Sequence, residues 1–102
     1  MGKYVFAYKG GGMPETEEEG ARLMRAWGDW LGGLGDAALD AGHPFGGSAA
    51  VTAGGSNGAA GSALTGYSIV SAGSLDDAVA KTAGCPIFES GGGVDVYETL
   101  EM

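Results

Sequence analysis

The spacing of hydrophobic positions changes several times along the chain, and each change predicts a different element. Residues 4–8 read Tyr-Val-Phe-Ala-Tyr, an aromatic and aliphatic run that predicts a first strand. Alternation places Tyr4, Phe6 and Tyr8 on one face of that strand and aliphatic side chains on the other. Because both faces are apolar, we expect this strand to be covered on two sides.

A helical period replaces the alternation further along the chain. Thr16 followed by Glu19 is the capping-box signature of a helix start. A single apolar stripe follows at steps of mostly three and four residues. The stripe consists of Leu23, Trp27, Trp30, Leu31 and Leu34. Gly35 is a stop signal, so we predict a helix from Thr16 to Leu34.

The middle of the chain has a less regular pattern of hydrophobic positions. Residues 37–41 predict a second strand that ends at Gly-His-Pro-Phe, residues 42–45, and residues 49–52 are expected to continue it after a break. Residues 54–62 are rich in Gly, Ser and Ala and predict a loop or hairpin tip, with Asn57 and the following glycine as its turn.

The last third of the chain completes the order of elements. Residues 64–72 form the most convincing strand, and Ser74 with Asp77 repeats the capping signature before a short helix that runs to Ala83. Residues 94–97 predict a closing strand. The resulting order is β-α-β-β-α-β.

This order predicts an α+β fold, with one ferredoxin-like βαββαβ domain over residues 1–102. Two helices are expected on one face of a four-stranded antiparallel sheet. We expect Tyr4, Phe6 and Tyr8 on the other face, where they would form a large exposed apolar patch that a second copy could cover. We therefore expect a homodimer whose two sheets form an α+β barrel. The 22 glycines support this, because small glycine-rich domains often gain stability by assembly.

The amino-acid composition limits the kinds of molecule that the protein is expected to bind. A net charge of −8 with only five Lys and Arg residues argues against nucleic acid and anionic membranes as partners. No apolar run approaches the roughly 18 residues of a membrane span, and the start of the chain lacks a signal-peptide core. The single cysteine, Cys85, excludes an internal disulfide. We expect a cytoplasmic protein that uses no metal and no cofactor.

Candidate chemistry gathers between the first helix and the second strand. His43 is the sole histidine, the residue type best suited to proton transfer near neutral pH. Asp40 and Asp36 precede it and are its candidate catalytic partners. Strand residues three apart point to opposite faces, however, so His43 could instead cap or solvate a strand end beside Pro44.

Aromatic side chains in the same region suggest a binding surface. Trp27 and Trp30 lie on the apolar stripe, and such residues usually belong to the core, with a pocket wall as the alternative. If a ligand binds here, Tyr8, Trp27 and Phe45 are the residues expected to contact it.

Several segments together resemble one known family. They are Tyr-Lys-Gly-Gly with Met-Pro-Glu-Thr within 8–16, Trp-Gly-Asp-Trp-Leu at 27–31, Asp-Ala-Gly-His-Pro-Phe-Gly at 40–46, Leu-Thr-Gly-Tyr-Ser-Ile-Val at 64–70 and Gly-Cys-Pro-Ile at 84–87. In this order the chain resembles the YCII-related proteins, which implies a dimeric α+β barrel. Some family members carry a proposed catalytic histidine in the first helix and an aspartate near its end. This chain has no histidine there, while Asp36 could correspond to the aspartate.

Two functions follow as hypotheses. The first is a homodimeric small-ligand binding or accessory domain, whose cleft near the end of the first helix and the second strand takes a small apolar or aromatic molecule. The second is a small lyase- or isomerase-like enzyme that uses His43 with Asp40 or Asp36 for proton transfer. The missing helix histidine favours the first.

Overall fold

The computed structural model describes residues 2–11, 14–56, 58–60 and 64–101. The elements are strand β1 (Gly2–Lys9), helix α1 (Glu17–Leu34), a 3-10 turn (Gly35–Ala37), strands β2 (Ala38–Asp40), β3 (Val51–Thr52), β4 (Gly55–Ser56) and β5 (Leu64–Ala72), helix α2 (Leu75–Ala80), a second 3-10 turn (Pro86–Ser90) and strand β6 (Gly93–Glu98). None of the helices in these ranges has the length and apolar character that a bilayer crossing requires.

The main sheet has four strands in the order β2-β5-β1-β6, and every neighbouring pair is antiparallel. The first helix connects β1 to β2, two places away in the sheet, and the second connects β5 to β6 in the same manner. This confirms the predicted α+β class with a four-stranded antiparallel sheet and two helices, and it is compatible with the ferredoxin-like plan.

The long helix α1 begins where its capping residues predict. The Thr16 side chain accepts a hydrogen bond from the Glu19 N–H at 3.1 Å, and the Glu19 carboxylate accepts one from the Glu15 N–H at 3.4 Å. Gly35 follows the last turn with φ of 57°, a conformation that favours glycine. The helix bounds predicted from the sequence are therefore confirmed.

The core lies between the sheet and the helices. Tyr4, Phe6 and Tyr8 of β1 are buried on the face towards the helices, together with Val70 of β5 and Ala78 of α2. The apolar stripe of α1 packs against them through three half-buried side chains: Trp27, Trp30 and Leu34. The prediction that Tyr4, Phe6 and Tyr8 lie on the sheet face away from the helices is therefore wrong, because this face of β1 packs against the apolar stripe of α1.

Three predicted bounds differ from the structure. The second strand is shorter than predicted, because a 3-10 turn takes its first residue, Ala37, and the strand ends at Asp40. Helix α2 ends at Ala80, where turns replace it. Residues 51–52 do not continue β2. They pair with β4 in a separate hairpin, whose turn lies at residues 53–54. The predicted turn residue Asn57 lies outside the described part of the chain.

The sheet face opposite the helices is also apolar. Val5, Tyr67 and Ile69 alternate with the buried residues of β1 and β5 and are half-buried, while Tyr97 of β6 is 58% exposed. Phe45 stacks on Tyr67 with ring centroids 5.9 Å apart. We name the set of Val5, Phe45, Tyr67, Ile69 and Tyr97 the open face.

Candidate functional site

An open cavity of about 390 Å³ lies between α1 and the strand edge where β5 meets the segment after β2. Its wall includes Tyr8 of β1, Trp27 and Leu31 of α1, residues 41–44, residues 65–68 of β5, and Ile87. The cavity is therefore beside the junction of the first helix with the second strand.

An aromatic cluster forms the helix side of the cavity. The rings of Tyr8 and Trp27 meet edge to face with centroids 4.9 Å apart, and Trp27 meets Trp30 in the same way at 5.8 Å. The Trp30 indole N–H donates a hydrogen bond to the Ala83 carbonyl at 3.2 Å. Trp30 is thus held between the Trp27 ring and the Ala83 carbonyl, and it supports Trp27 in the cavity wall. Trp27 is thus both a core contact and a wall residue.

A bulge at residues 41–44 forms the opposite rim. The chain leaves the sheet at Asp40 and returns at Pro44, which bridges Gly66, and the Phe45 N–H donates to the Thr65 carbonyl at 2.8 Å. Gly42 turns the bulge with φ of 77°, and a Cβ there would overlap the carbonyl oxygen of Tyr67. Only glycine fits this approach of two backbones.

Two buried hydroxyl groups connect the sheet to this bulge. The Tyr8 hydroxyl donates to the Ser68 Oγ at 2.8 Å, and the Ser68 hydroxyl donates to the Ala41 carbonyl at 2.6 Å. Burial raises the pKa of Tyr8 to about 12, partly offset by the hydrogen bond to Ser68, so the phenol keeps its proton at neutral pH. Sequence reasoning missed Ser68, although a hydroxyl between Gly66 and Val70 on the buried face of a strand is a detectable signal.

The structure brings together some of the candidate residues and separates others. Tyr8, Trp27 and His43 all line the cavity, and His43 is exposed to solvent. Phe45 lies on the open face and is not among the wall residues. Asp36 lies in the 3-10 turn after α1 and is exposed, also outside the wall.

Asp40 has a local role in the bulge. Its carboxylate accepts a hydrogen bond from the Gly42 N–H at 2.9 Å, two residues further along the chain. Within the described residues, no hydrogen bond or ion pair joins His43 to Asp40 or to Asp36. The geometry thus provides a histidine in the cavity wall without an aligned carboxylate.

The described residues provide neither a metal-binding cluster nor a reactive thiol at this site. The described residues contain no group of three His, Cys, Asp or Glu side chains that could hold a metal ion. The Cys85 thiol is buried, and this burial raises its pKa to about 11, outweighing a backbone hydrogen bond with Ile87. A thiol with so high a pKa is a poor nucleophile at neutral pH.

No protein-family model matches the chain, and no curated protein is significantly similar to it. The resemblance to YCII-related proteins therefore stays a prediction. What the protein does has to be argued from the cavity, whose wall is mostly aromatic and aliphatic and whose polar side-chain groups are hydroxyls, one indole N–H and one imidazole.

Proposed function

We propose that the protein is a cytoplasmic, homodimeric small-ligand binding or accessory domain, whose cavity takes a small apolar or aromatic molecule. One observation carries the proposal, namely an open cavity of about 390 Å³ with an aromatic wall at Tyr8 and Trp27. Ligand sites in proteins are typically concave, mostly apolar and about 300–1,000 Å³ in volume. The cavity has both the size and the lining of such a site.

The lack of Asp, Glu, Lys and Arg among the described wall residues supports an uncharged ligand. A charged ligand would lose its hydration without gaining an opposite charge. An aromatic ligand, by contrast, gains edge-to-face or stacked contacts with Trp27 and Tyr8.

The enzyme hypothesis has less support. Proton transfer by His43 with Asp40 or Asp36 requires an aligned pair, but the Asp40 carboxylate accepts the Gly42 N–H and Asp36 is outside the wall. Binding is therefore the function that the geometry supports best.

Trp27→Ala is expected to weaken the binding of an aromatic probe by about tenfold, because it removes a large apolar contact and an edge-to-face partner. Isothermal titration calorimetry with 2-naphthol measures this change. Phe88→Ala is the control, since Phe88 is exposed and outside the cavity wall, and it should leave the affinity unchanged. Equal affinities for the wild type and Trp27→Ala would contradict the proposed site.

We propose that the second copy of the homodimer packs on the open face. Val5, Tyr67 and Ile69 there are apolar and only half-buried, and Tyr97 is largely exposed. Monomers rarely expose contiguous apolar patches of this kind. A two-fold contact would cover the same patch on both copies.

Light scattering at micromolar concentration tests the dimer. The wild type should have twice the mass of one chain, and Ile69→Glu should shift it to the monomer, because a buried unpaired carboxylate at the contact is strongly unfavourable. Val79→Glu, at an exposed position of α2, is the matched control and should stay dimeric. A monomeric wild type would contradict the homodimer.

A further inference from the structure

Three hydroxyl groups of the cavity wall already use their protons in hydrogen bonds within the protein. Tyr8 donates to Ser68 at 2.8 Å, Ser68 donates to the Ala41 carbonyl at 2.6 Å, and Thr65 donates to the Tyr8 carbonyl at 3.3 Å. All four residues line the cavity. These three hydroxyl groups can therefore offer a ligand only an acceptor oxygen.

The direction of these bonds is fixed by chemistry. A carbonyl oxygen carries no proton, so the Ser68 hydroxyl has to donate to Ala41. A hydroxyl has one proton, so Ser68 can only accept from Tyr8. The Tyr8 oxygen is then left with acceptor capacity alone.

Three other side chains of the wall carry a donor, namely His43, Tyr67 and Trp27, whose indole N–H can only donate. They lie outside the chain of hydrogen bonds from Tyr8 through Ser68, which sets the polarity next to the Tyr8 hydroxyl. His43 is exposed to solvent. Tyr67 also borders the cavity, but its ring stacks on Phe45 at the open face. No lysine or arginine of the described chain belongs to the wall.

From this polarity we infer a ligand class: the cavity selects neutral aromatic molecules that carry a hydrogen-bond donor, such as a hydroxyl or a ring N–H, over matched molecules that carry only an acceptor. This inference rests on the proposed binding function. A donor reaches the free lone pair of Tyr8, whereas an acceptor meets that lone pair and loses its own water without replacement. Sites that hydrogen-bond one polar group discriminate strongly against analogues that cannot match it.

The experiment uses three probes of similar size: 2-naphthol as donor, 2-acetylnaphthalene as acceptor, and 2-methylnaphthalene as apolar reference. Calorimetry on the wild type should give an affinity for 2-naphthol about tenfold above that for 2-acetylnaphthalene. In Tyr8→Phe the preference should vanish, because the Tyr8 lone pair is gone and the lone pair that this change frees on Ser68 belongs to a residue that is only 1% exposed. Circular dichroism confirms that each variant is folded.

For a second variant, Ser68→Ala, we expect the reverse preference. In Ser68→Ala the Tyr8 hydroxyl loses its acceptor, so its proton is free to meet a ligand, and the affinity ratio should move about tenfold towards 2-acetylnaphthalene. Should Ser68→Ala not fold, Tyr8→Phe decides alone.

The outcomes separate this inference from the proposed function. Equal wild-type affinity for all three probes, or a donor preference that persists in Tyr8→Phe, would overturn donor selection while leaving a binding cavity. Failure of every probe to bind, 2-methylnaphthalene included, would overturn the binding function and the selection together.

Discussion

Gly42→Ala is expected to lower the free energy of unfolding by about 3 kcal/mol and to open the cavity rim. The change forces a residue with a Cβ into φ of 77°, which costs about 1–2 kcal/mol, and places that Cβ on the Tyr67 carbonyl oxygen. The overlap is with backbone, so no side-chain rotation relieves it. The segment has to move away from β5, which breaks the bond between the Ala41 carbonyl and Ser68.

Chemical denaturation measures this loss of unfolding free energy when Gly42→Ala is compared with Gly47→Ala. Gly47 is the matched control, because a Cβ there meets nothing within 4 Å and its backbone φ is not in the left-handed region. We expect Gly47→Ala to match the wild type or to be slightly more stable. A Gly42→Ala protein as stable as the Gly47→Ala protein would show that the bulge is not built as described.

Phe6→Ala is expected to lower the free energy of unfolding by about 3–5 kcal/mol, a large part of the stability of a domain of this size. Phe6 is 0% exposed and stacks on Trp30 with ring centroids 6.2 Å apart. The lost ring leaves a void at the centre of β1, where the sheet cannot collapse without breaking its pairing with β5 and β6.

Thermal unfolding followed by circular dichroism measures the loss, and the midpoint should fall by about 15 °C or more. Leu100→Ala serves as control, since Leu100 is 78% exposed beyond the last strand and its truncation should shift the midpoint little. A Phe6→Ala midpoint within a few degrees of the control would contradict the position of the core.

Local signals explain why much of the fold could be predicted from the sequence. The α1 bounds follow from Thr16, Glu19 and Gly35, which lie within a turn of the ends they define. The β5 range, Leu64–Ala72, follows from the aromatic and β-branched residues at its centre, Tyr67, Ile69 and Val70. Each of these signals acts through neighbours in the chain, so no knowledge of the tertiary fold is needed to interpret it.

The parts that sequence reasoning missed depend on contacts between distant segments. The bulge exists because Gly42 passes against the Tyr67 carbonyl, and the Tyr8 hydroxyl is oriented by Ser68, 60 residues away. The candidate pair of His43 and Asp40 was drawn from proximity in sequence, whereas in the fold Asp40 accepts the N–H of Gly42. Proximity along the chain did not predict which side chain each polar group would meet.

The contact between the two indoles allows ligand entry into the cavity to be detected spectroscopically. Trp27 and Trp30 are the only tryptophans of the chain, and their rings are 5.8 Å apart, close enough for their electronic transitions to couple. Fluorescence of the unlabelled protein, excited selectively at tryptophan, therefore reports on a single place in the molecule. A ligand that enters beside Trp27 would quench or split that signal, so occupancy can be followed without an attached dye.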